Sequence, residues 1–451
     1  RLAADRPSPA HLTEFYLVLA TGGVLASSHV AVVAPVLFRG VWEYPLLLVL
    51  ALGARALGRP GQRASAANAS AAEATPANAS AADTRRPRFD LSPFFAGAPR
   101  RVAPYAVAAL ALTVWLATSG SVGLEAGLRW LLVGGAVLAV GAQPRFLFVA
   151  TAVVLALAVF VLSPPAIFQD RSFFGVTTVL RPPDSPMTVL MNGTTVHGLQ
   201  STDPAFRRIP GSYYVASGPL GDVFRVVRAR AGSGDGVGTT TPGTTAPGTL
   251  GTGRSIGVVG LGSGTVAAWA RPGDSLTFYE IDPLVIRVAQ DPTYFTWLAD
   301  ADVRPTIVLG DARLSIAPVA SGTYDLLVLD AFSSDAIPAH LLTSEAIADD
   351  ARVLRPGGVL AIHASNRYYE LAPAVASAAR QAGLTVLQRV YEPTQADAGL
   401  DAALSHWLVA TSVPADVPGL IENGWQPVRE GVLPLTDDHP DLLRLLRVGL
   451  W

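Results

Sequence analysis

The chain of 451 residues has no cysteine, which excludes disulfides, thiolate metal sites and a cysteine nucleophile. It has no lysine either. All 33 basic residues are arginine, so neither Schiff-base chemistry nor a Walker-type phosphate lysine is available. An arginine-for-lysine, alanine-rich composition is what a GC-rich genome produces. Charge is scarce, at 15% of residues. A soluble domain carries roughly a quarter. Half of the residues are hydrophobic, so part of the chain is expected in a bilayer. The formal net charge of −2 gives no general affinity for nucleic acid. The length exceeds one ordinary domain. The opening on Arg1, not Met, with a polar lead suggests a fragment or processed form of a longer protein.

What is present in the first third is apolar. The runs Phe15–Phe38, Trp42–Leu57, Ala103–Ser119, Gly127–Ala142 and Phe146–Leu162 predict a multi-span α-helical membrane region over residues 1–165. Only Gln143-Pro-Arg145 separates the last two, which suits a tight helical hairpin. A loop over residues 59–90 holds an Ala/Ser/Asn tract too poor in apolar residues to fold. Arginines crowd that loop. With five spans, the positive-inside rule would put the following domain outside the cytoplasm. A nucleoside ligand made in the cytosol argues the reverse, and the cytoplasmic side is the expectation.

From Ile167 the chain turns soluble in character. Residues 166–228 read as a small β region, with strands at Phe173–Val179 and Met187–Met191 and a hairpin turn at Asn192-Gly193. Residues 229–254, rich in Gly, Thr and Pro, read as a flexible insertion. Over residues 255–451, strands are predicted at Ile256–Val259, Ser275–Glu280, Thr306–Leu309, Leu326–Leu329, Gly358–His363, Leu384–Val390 and Leu404–Ala410, with helical segments between. That alternation predicts a Rossmann-like α/β domain with a mostly parallel sheet and helices on both faces.

Ligands of such folds bind at the carboxyl ends of the strands. Gly260, Gly262 and Gly264 follow the first strand, and helix-compatible Val266–Ala270 follows them. Glycine there lets the backbone turn tightly and approach a ligand. Glu280 ends the next strand, about 20 residues on, where a carboxylate accepts from two ribose hydroxyls. Asp311 follows the third strand, where it can accept from an adenine amine. Asp330 follows Leu326–Leu329, with Asp335 shortly after. Acids at strand ends also serve as helix N-caps. His197, His340 and His363 read as polar pocket groups or as satisfied structural histidines, the second being the expectation, and Trp269, Trp407 and Trp425 as core.

Gly260-Leu-Gly-Ser-Gly264, Glu280-Ile-Asp282, Gly310-Asp311 and the Asp330…Asp335 pair, in this order, resemble the aminopropyltransferase family of spermidine and spermine synthases. The chain is more closely similar to bacterial membrane-fused members. Arg171-Ser-Phe-Phe-Gly-Val176, His197-Gly198 with Gln200, Tyr213-Tyr214, Ser365-Asn-Arg-Tyr368 and Thr436-Asp-Asp438 carry that closer likeness.

The resemblance implies an S-adenosylmethionine-dependent transferase type of fold in a bacterial inner or plasma membrane. It implies transfer of a 3-aminopropyl group from decarboxylated S-adenosylmethionine to a polyamine, without a metal. In that reading Asp330 is the catalytic base, and Asp335 holds the aminopropyl tail or the acceptor. Gly260, Gly262, Gly264, Glu280, Asp282 and Asp311 hold the donor, while Gln200 and Tyr214 line the acceptor pocket. Asn366, Arg367, Asp437 and Asp438 are weaker candidates to face the pocket. A homodimer through the β region is allowed by analogy. The soluble family has two residues between its paired acids, whereas four separate Asp330 from Asp335 here. Pro210-Gly-Ser-Tyr-Tyr214 also lacks the family's acid, which leaves the acceptor open. Two rivals remain: a methyltransferase using S-adenosylmethionine itself, and a non-catalytic membrane protein that binds a polyamine or nucleoside.

Overall fold

The computed structural model describes residues 11–40, 43, 166–193, 195–233, 253–331, 338–413 and 417–447. Asp335, the loop over 59–90, the last three apolar runs, and all of Trp42–Leu57 but Glu43 lie outside the described residues. The chain divides into two compact units, Arg1–Pro164 and Pro165–Trp451.

In the first unit, helix α1 runs over Leu12–Leu37. Its 26 residues span about 39 Å at 1.5 Å per residue, more than the ~30 Å of a bilayer's hydrocarbon. A π-helical turn at His29–Val33 lies just ahead of Pro35, whose missing N–H interrupts the regular ladder. Among the described residues, α1 is the helix long and apolar enough to cross a membrane.

The second unit begins with a four-stranded antiparallel sheet in sequential order. Its strands are β1 (Ala166–Ser172), β2 (Gly175–Leu180), β3 (Met187–Asn192) and β4 (Thr195–Ser201). The Asn192-Gly193 turn joins β3 to β4, with Gly193 at φ 58°. Phe173 and Phe174, expected inside a strand, form the turn between β1 and β2 instead. Ser172 Oγ accepts the Phe174 N–H at 3.0 Å, and Gly175 takes φ 133°. Local side-chain bonding overrides the strand propensity of two aromatics there.

Helix α2 (Pro219–Ser233) follows and crosses the boundary expected at residue 228. Leu220, Val223 and Phe224 pack on the large sheet, so this helix is part of the α/β core. Buried Asp222 in its first turn binds Arg225 and Arg389 and accepts Trp425 Nε1–H at 2.9 Å.

The large sheet contains β5 (Ser255–Val259), β6 (Ser275–Glu280), β7 (Thr306–Leu309), β8 (Tyr324–Leu329), β9 (Leu354–His363), β10 (Thr385–Tyr391), β11 (Ser405–Thr411) and the short β12 (Gln426–Pro427). Their order is β12-β10-β11-β9-β8-β5-β6-β7. Strands β5 to β9 are parallel, and β11 runs antiparallel between β9 and β10. This is a Rossmann-like α/β sheet. Strand β8 shows why both faces are covered. Leu326 and Val328 point into the core that holds α2, and Leu327 and Leu329 into the opposite one. That opposite layer contains α5 (Ser344–Val353) and α6 (Ala372–Gln381), with α3 (Pro283–Gln290) and α4 (Ala312–Ile316) opening directly after strand-end acids. The segment after the glycine loop is a 3-10 turn, Thr265–Trp269, not a regular helix. Arg271-Pro272-Gly273 stops it after five residues.

Candidate active site

Chain order reverses between β5, which leads to β6 and β7 on one side, and β8 on the other. A crevice opens at the carboxyl ends of these strands. It forms a cavity of about 280 Å³, lined on the sheet side by Gly260, Gly262, Glu280, Asp311 and Asp330. Thr177, Asn192, His197, Tyr213 and Tyr214 from the small sheet and the turn after it form the facing wall.

The glycine loop is fixed by close backbone packing. Gly260 takes φ 92°, and a Cβ there would stand 2.3 Å from the Asp330 carbonyl oxygen. Gly262 takes φ 52°, and its Cβ would meet the His197 carbonyl oxygen at 2.6 Å. Both positions therefore require glycine. The Asp330 N–H donates to Val259 O at 2.9 Å, which brings the loop and the acid together.

Glu280 is buried. Its Oε2 accepts the Leu261 N–H at 2.9 Å and its Oε1 accepts the Asp282 N–H at 2.9 Å. Burial pushes its carboxyl above the usual range, and the backbone N–H bonds offset only part of that. Each oxygen keeps a further lone pair for a hydroxyl donor. Asp282 also lines the cavity, but its oxygens are engaged as a cap. Oδ1 accepts the Leu284 N–H at 2.8 Å and Oδ2 accepts the Ser172 hydroxyl at 2.6 Å. Asp311 caps α4 through Leu314 N–H at 3.0 Å, and its second oxygen lies 3.0 Å from His340 Nε2.

Asp330 has a buried side chain, held at both carboxylate oxygens. Its Oδ1 lies 2.7 Å from His363 Nδ1, and its Oδ2 accepts the Tyr214 hydroxyl. Burial pushes the carboxyl up, but His363, the Tyr214 hydrogen bond and His197 together outweigh it and leave the group below its ordinary value. The phenols move the other way. Burial first, then the Asp330 charge, pushes Tyr213 and Tyr214 well above the usual phenol range. Tyr214 therefore stays protonated and donates.

Gln200 is placed away from the cavity. Its amide donates to Arg207 O and Thr296 Oγ1, both at 2.9 Å, and accepts the Thr296 N–H at 2.7 Å. Asp437 is drawn to Arg313 by two bonds of 2.7 and 2.6 Å and accepts from Thr343 at 2.9 Å. Asn366 Oδ1 accepts the Tyr368 and Tyr369 N–H groups at 2.8 and 2.9 Å. The three histidines weighed as structural or pocket groups lie at the site. His197 and His340 line the cavity, and His363 joins Asp330. The signal was the strand-end rule itself, since His363 is the last residue of β9. Among the described residues, no cluster of three or more His, Asp or Glu side chains is placed to hold a metal ion.

No family model matches the chain. A polyamine aminopropyltransferase of Vibrio vulnificus is 35% identical over 108 residues, which cover 23% of this chain and 35% of that protein. The chain therefore spans about a third of the length of that relative. A "Putative O-methyltransferase" of Mycobacterium bovis is 28% identical over 185 residues, covering 38% of this chain and 77% of the relative. Among solved structures, a probable spermidine synthase from Corynebacterium glutamicum superposes with a TM-score of 0.40 at 15% identity, over 61% of this chain and 99% of that one.

Proposed function

We propose that the chain is a membrane-anchored transferase that moves a 3-aminopropyl group from decarboxylated S-adenosylmethionine to an amine of the polyamine class. The observation that carries the reading is Asp330, a buried carboxylate on the cavity wall beside the glycine loop, in one crevice with Glu280 and Asp311. Glu280 takes the ribose hydroxyls of the donor, and Asp311 takes the adenine amine once His340 yields its oxygen. The named aminopropyltransferase relative supports the same class.

The donor supplies a sulfonium leaving group. The protein's part is to deprotonate and align the acceptor. An ammonium entering the cavity gives one proton to Asp330 and becomes a nucleophilic amine. Its nitrogen forms the new N–C bond as the C–S bond breaks with its electron pair on sulfur. The positive charge leaves the sulfonium and ends on the new secondary ammonium. Tyr214, fixed by its bond to Asp330, holds the carboxylate in line. Asp335 is proposed to bind the cationic tail. The runs ahead of residue 165 are proposed as a membrane anchor, with the catalytic domain on the cytoplasmic side.

A methyltransferase is the second reading, favoured by the O-methyltransferase relative, most of whose length the chain covers. Against it, no arginine is among the described residues lining the cavity, so the carboxylate of S-adenosylmethionine would meet carboxylates rather than a cation. Purified full chain incubated with each donor and a panel of amines separates the two. Mass spectrometry should find aminopropylated amine with the decarboxylated donor. Methylated product from S-adenosylmethionine, with none from the decarboxylated donor, would reverse the assignment.

A further inference from the structure

The parallel register of β8 and β9 pairs Leu329 with Ile362, so the next residues, Asp330 and His363, emerge side by side. His363 is held on four sides. Trp407 stacks on its ring at 4.6 Å and 11°, and Tyr213 covers it at 4.7 Å and 35°. Nδ1 lies 2.7 Å from Asp330 Oδ1, and Nε2 lies 2.8 Å from Ser365 Oγ. Ser365 Oγ in turn accepts the His406 backbone N–H at 2.8 Å.

The contact with Asp330 sets the direction of the Nδ1 proton. An ionised Asp330 has none to give, so Nδ1 carries one and donates. In the neutral imidazole, Nε2 then accepts the Ser365 hydroxyl, which the His406 N–H orients. The sequence Ser–His–Asp is that of a hydrolytic triad. Exposure inverts it, because Asp330 lines the cavity while Ser365 and His363 do not.

We propose that His363 is the positioning residue of Asp330. This rests on the transferase reading above. As an Nδ1–H donor anchored through Ser365, it fixes one carboxylate oxygen and aims the acid at the acceptor. The acid's basic lone pairs then point into the cavity before the amine arrives, which is the preorganisation that proton transfer in an aligned displacement needs. Because it touches the proton acceptor and not the donor's proposed contacts, it acts on kcat more than on donor KM.

Two amide variants separate the role from simple packing. His363→Asn keeps a donor near the Nδ1 position, and His363→Gln shifts the amide to the Nε2 position. Steady-state kinetics with decarboxylated S-adenosylmethionine should show His363→Asn within about 3-fold of the parent in kcat, and His363→Gln lower by ~30-fold or more. The donor KM should stay within about 3-fold in both. Calorimetric donor binding shows that each variant is folded. Equal kcat for the two variants, or a change confined to KM, overturns the role. Absence of any aminopropyl transfer by the parent chain overturns the transferase reading instead. A nitrogen–proton NMR spectrum of the histidines then tests His363 without turnover. A ring protonated on Nδ1 supports the proposal, and one protonated on Nε2 alone overturns it.

Discussion

Gly260 and Asp330 meet backbone to backbone, and a Cβ on Gly260 would lie 2.3 Å from the Asp330 carbonyl oxygen. The loop that would grip the donor and the acid that would take the proton are therefore one mechanical unit. Gly260→Ala must both leave φ 92° and push the strand end away. The left-handed backbone alone costs about 1–2 kcal/mol for an alanine. We expect a lower midpoint of thermal unfolding together with a loss of both donor binding and turnover. A variant with parent-like stability and activity would show that the contact is not maintained in solution.

Asp330→Asn is close to isosteric and still accepts the Tyr214 hydroxyl, with its NH₂ turned toward His363 Nδ1, but it cannot take a proton. Turnover should fall by about 10²- to 10⁴-fold, the usual range for a general base. Donor affinity should change by less than ~3-fold, because the proposed donor contacts are those of Glu280 and Asp311. The same substitution changes acid stability. The folded carboxyl sits below its ordinary 3.8, so its stabilisation is present above that pH and is lost as pH falls through the folded value. Denaturant midpoints of the parent should therefore drop more steeply below about pH 4 than those of Asp330→Asn.

Glu280→Gln tests the other end of the cavity. The carboxylate accepts two backbone N–H groups, from Leu261 and Asp282, and an amide can accept only one of them without turning an NH₂ toward the other. Charge-assisted hydrogen bonds of this kind contribute about 1.5–3 kcal/mol. Calorimetry should find donor affinity weaker by at least about 10-fold. Unchanged affinity would remove Glu280 from the donor site.

The α/β core was legible because its signals are local. Ile256–Val259 and Leu326–Leu329 are short apolar runs that stop at a glycine or an acid, and each became a buried parallel strand. The glycine loop and the carboxylates at 280, 311 and 330 followed from the rule that such strands present their ligands at their carboxyl ends. What stayed hidden depended on partners far away in the chain. Gln200 has the polarity of a pocket residue, yet its amide is used by Thr296, 96 positions on. Phe173-Phe174 has the composition of a strand, and one serine hydroxyl makes it a turn. The sequence alone allows His363 to be either a structural histidine or a pocket group. Only the β8–β9 register shows which acid it touches.

Asp350 gives the last prediction, and it lies behind the site, not in it. This acid of α5 is buried, beside Asp349, with Arg313 as the opposing charge. Arg313 is already committed to Asp437 by bonds of 2.7 and 2.6 Å. Burial first, then Asp349, pushes the Asp350 carboxyl up to about 8. Between its unfolded value of 3.8 and that value, the folded chain keeps a proton that the unfolded chain has released. Stability is therefore greatest at the acid end of this window and declines as pH rises, by up to about 1.4 kcal/mol per unit. Asp350→Asn removes this decline. Urea midpoints measured at pH 5, 6.5 and 8 should diverge progressively, with the asparagine variant gaining on the parent at each step. Parallel pH profiles for the two proteins would mean that Asp350 is ionised in the folded state, through water or through Arg313 freed from Asp437.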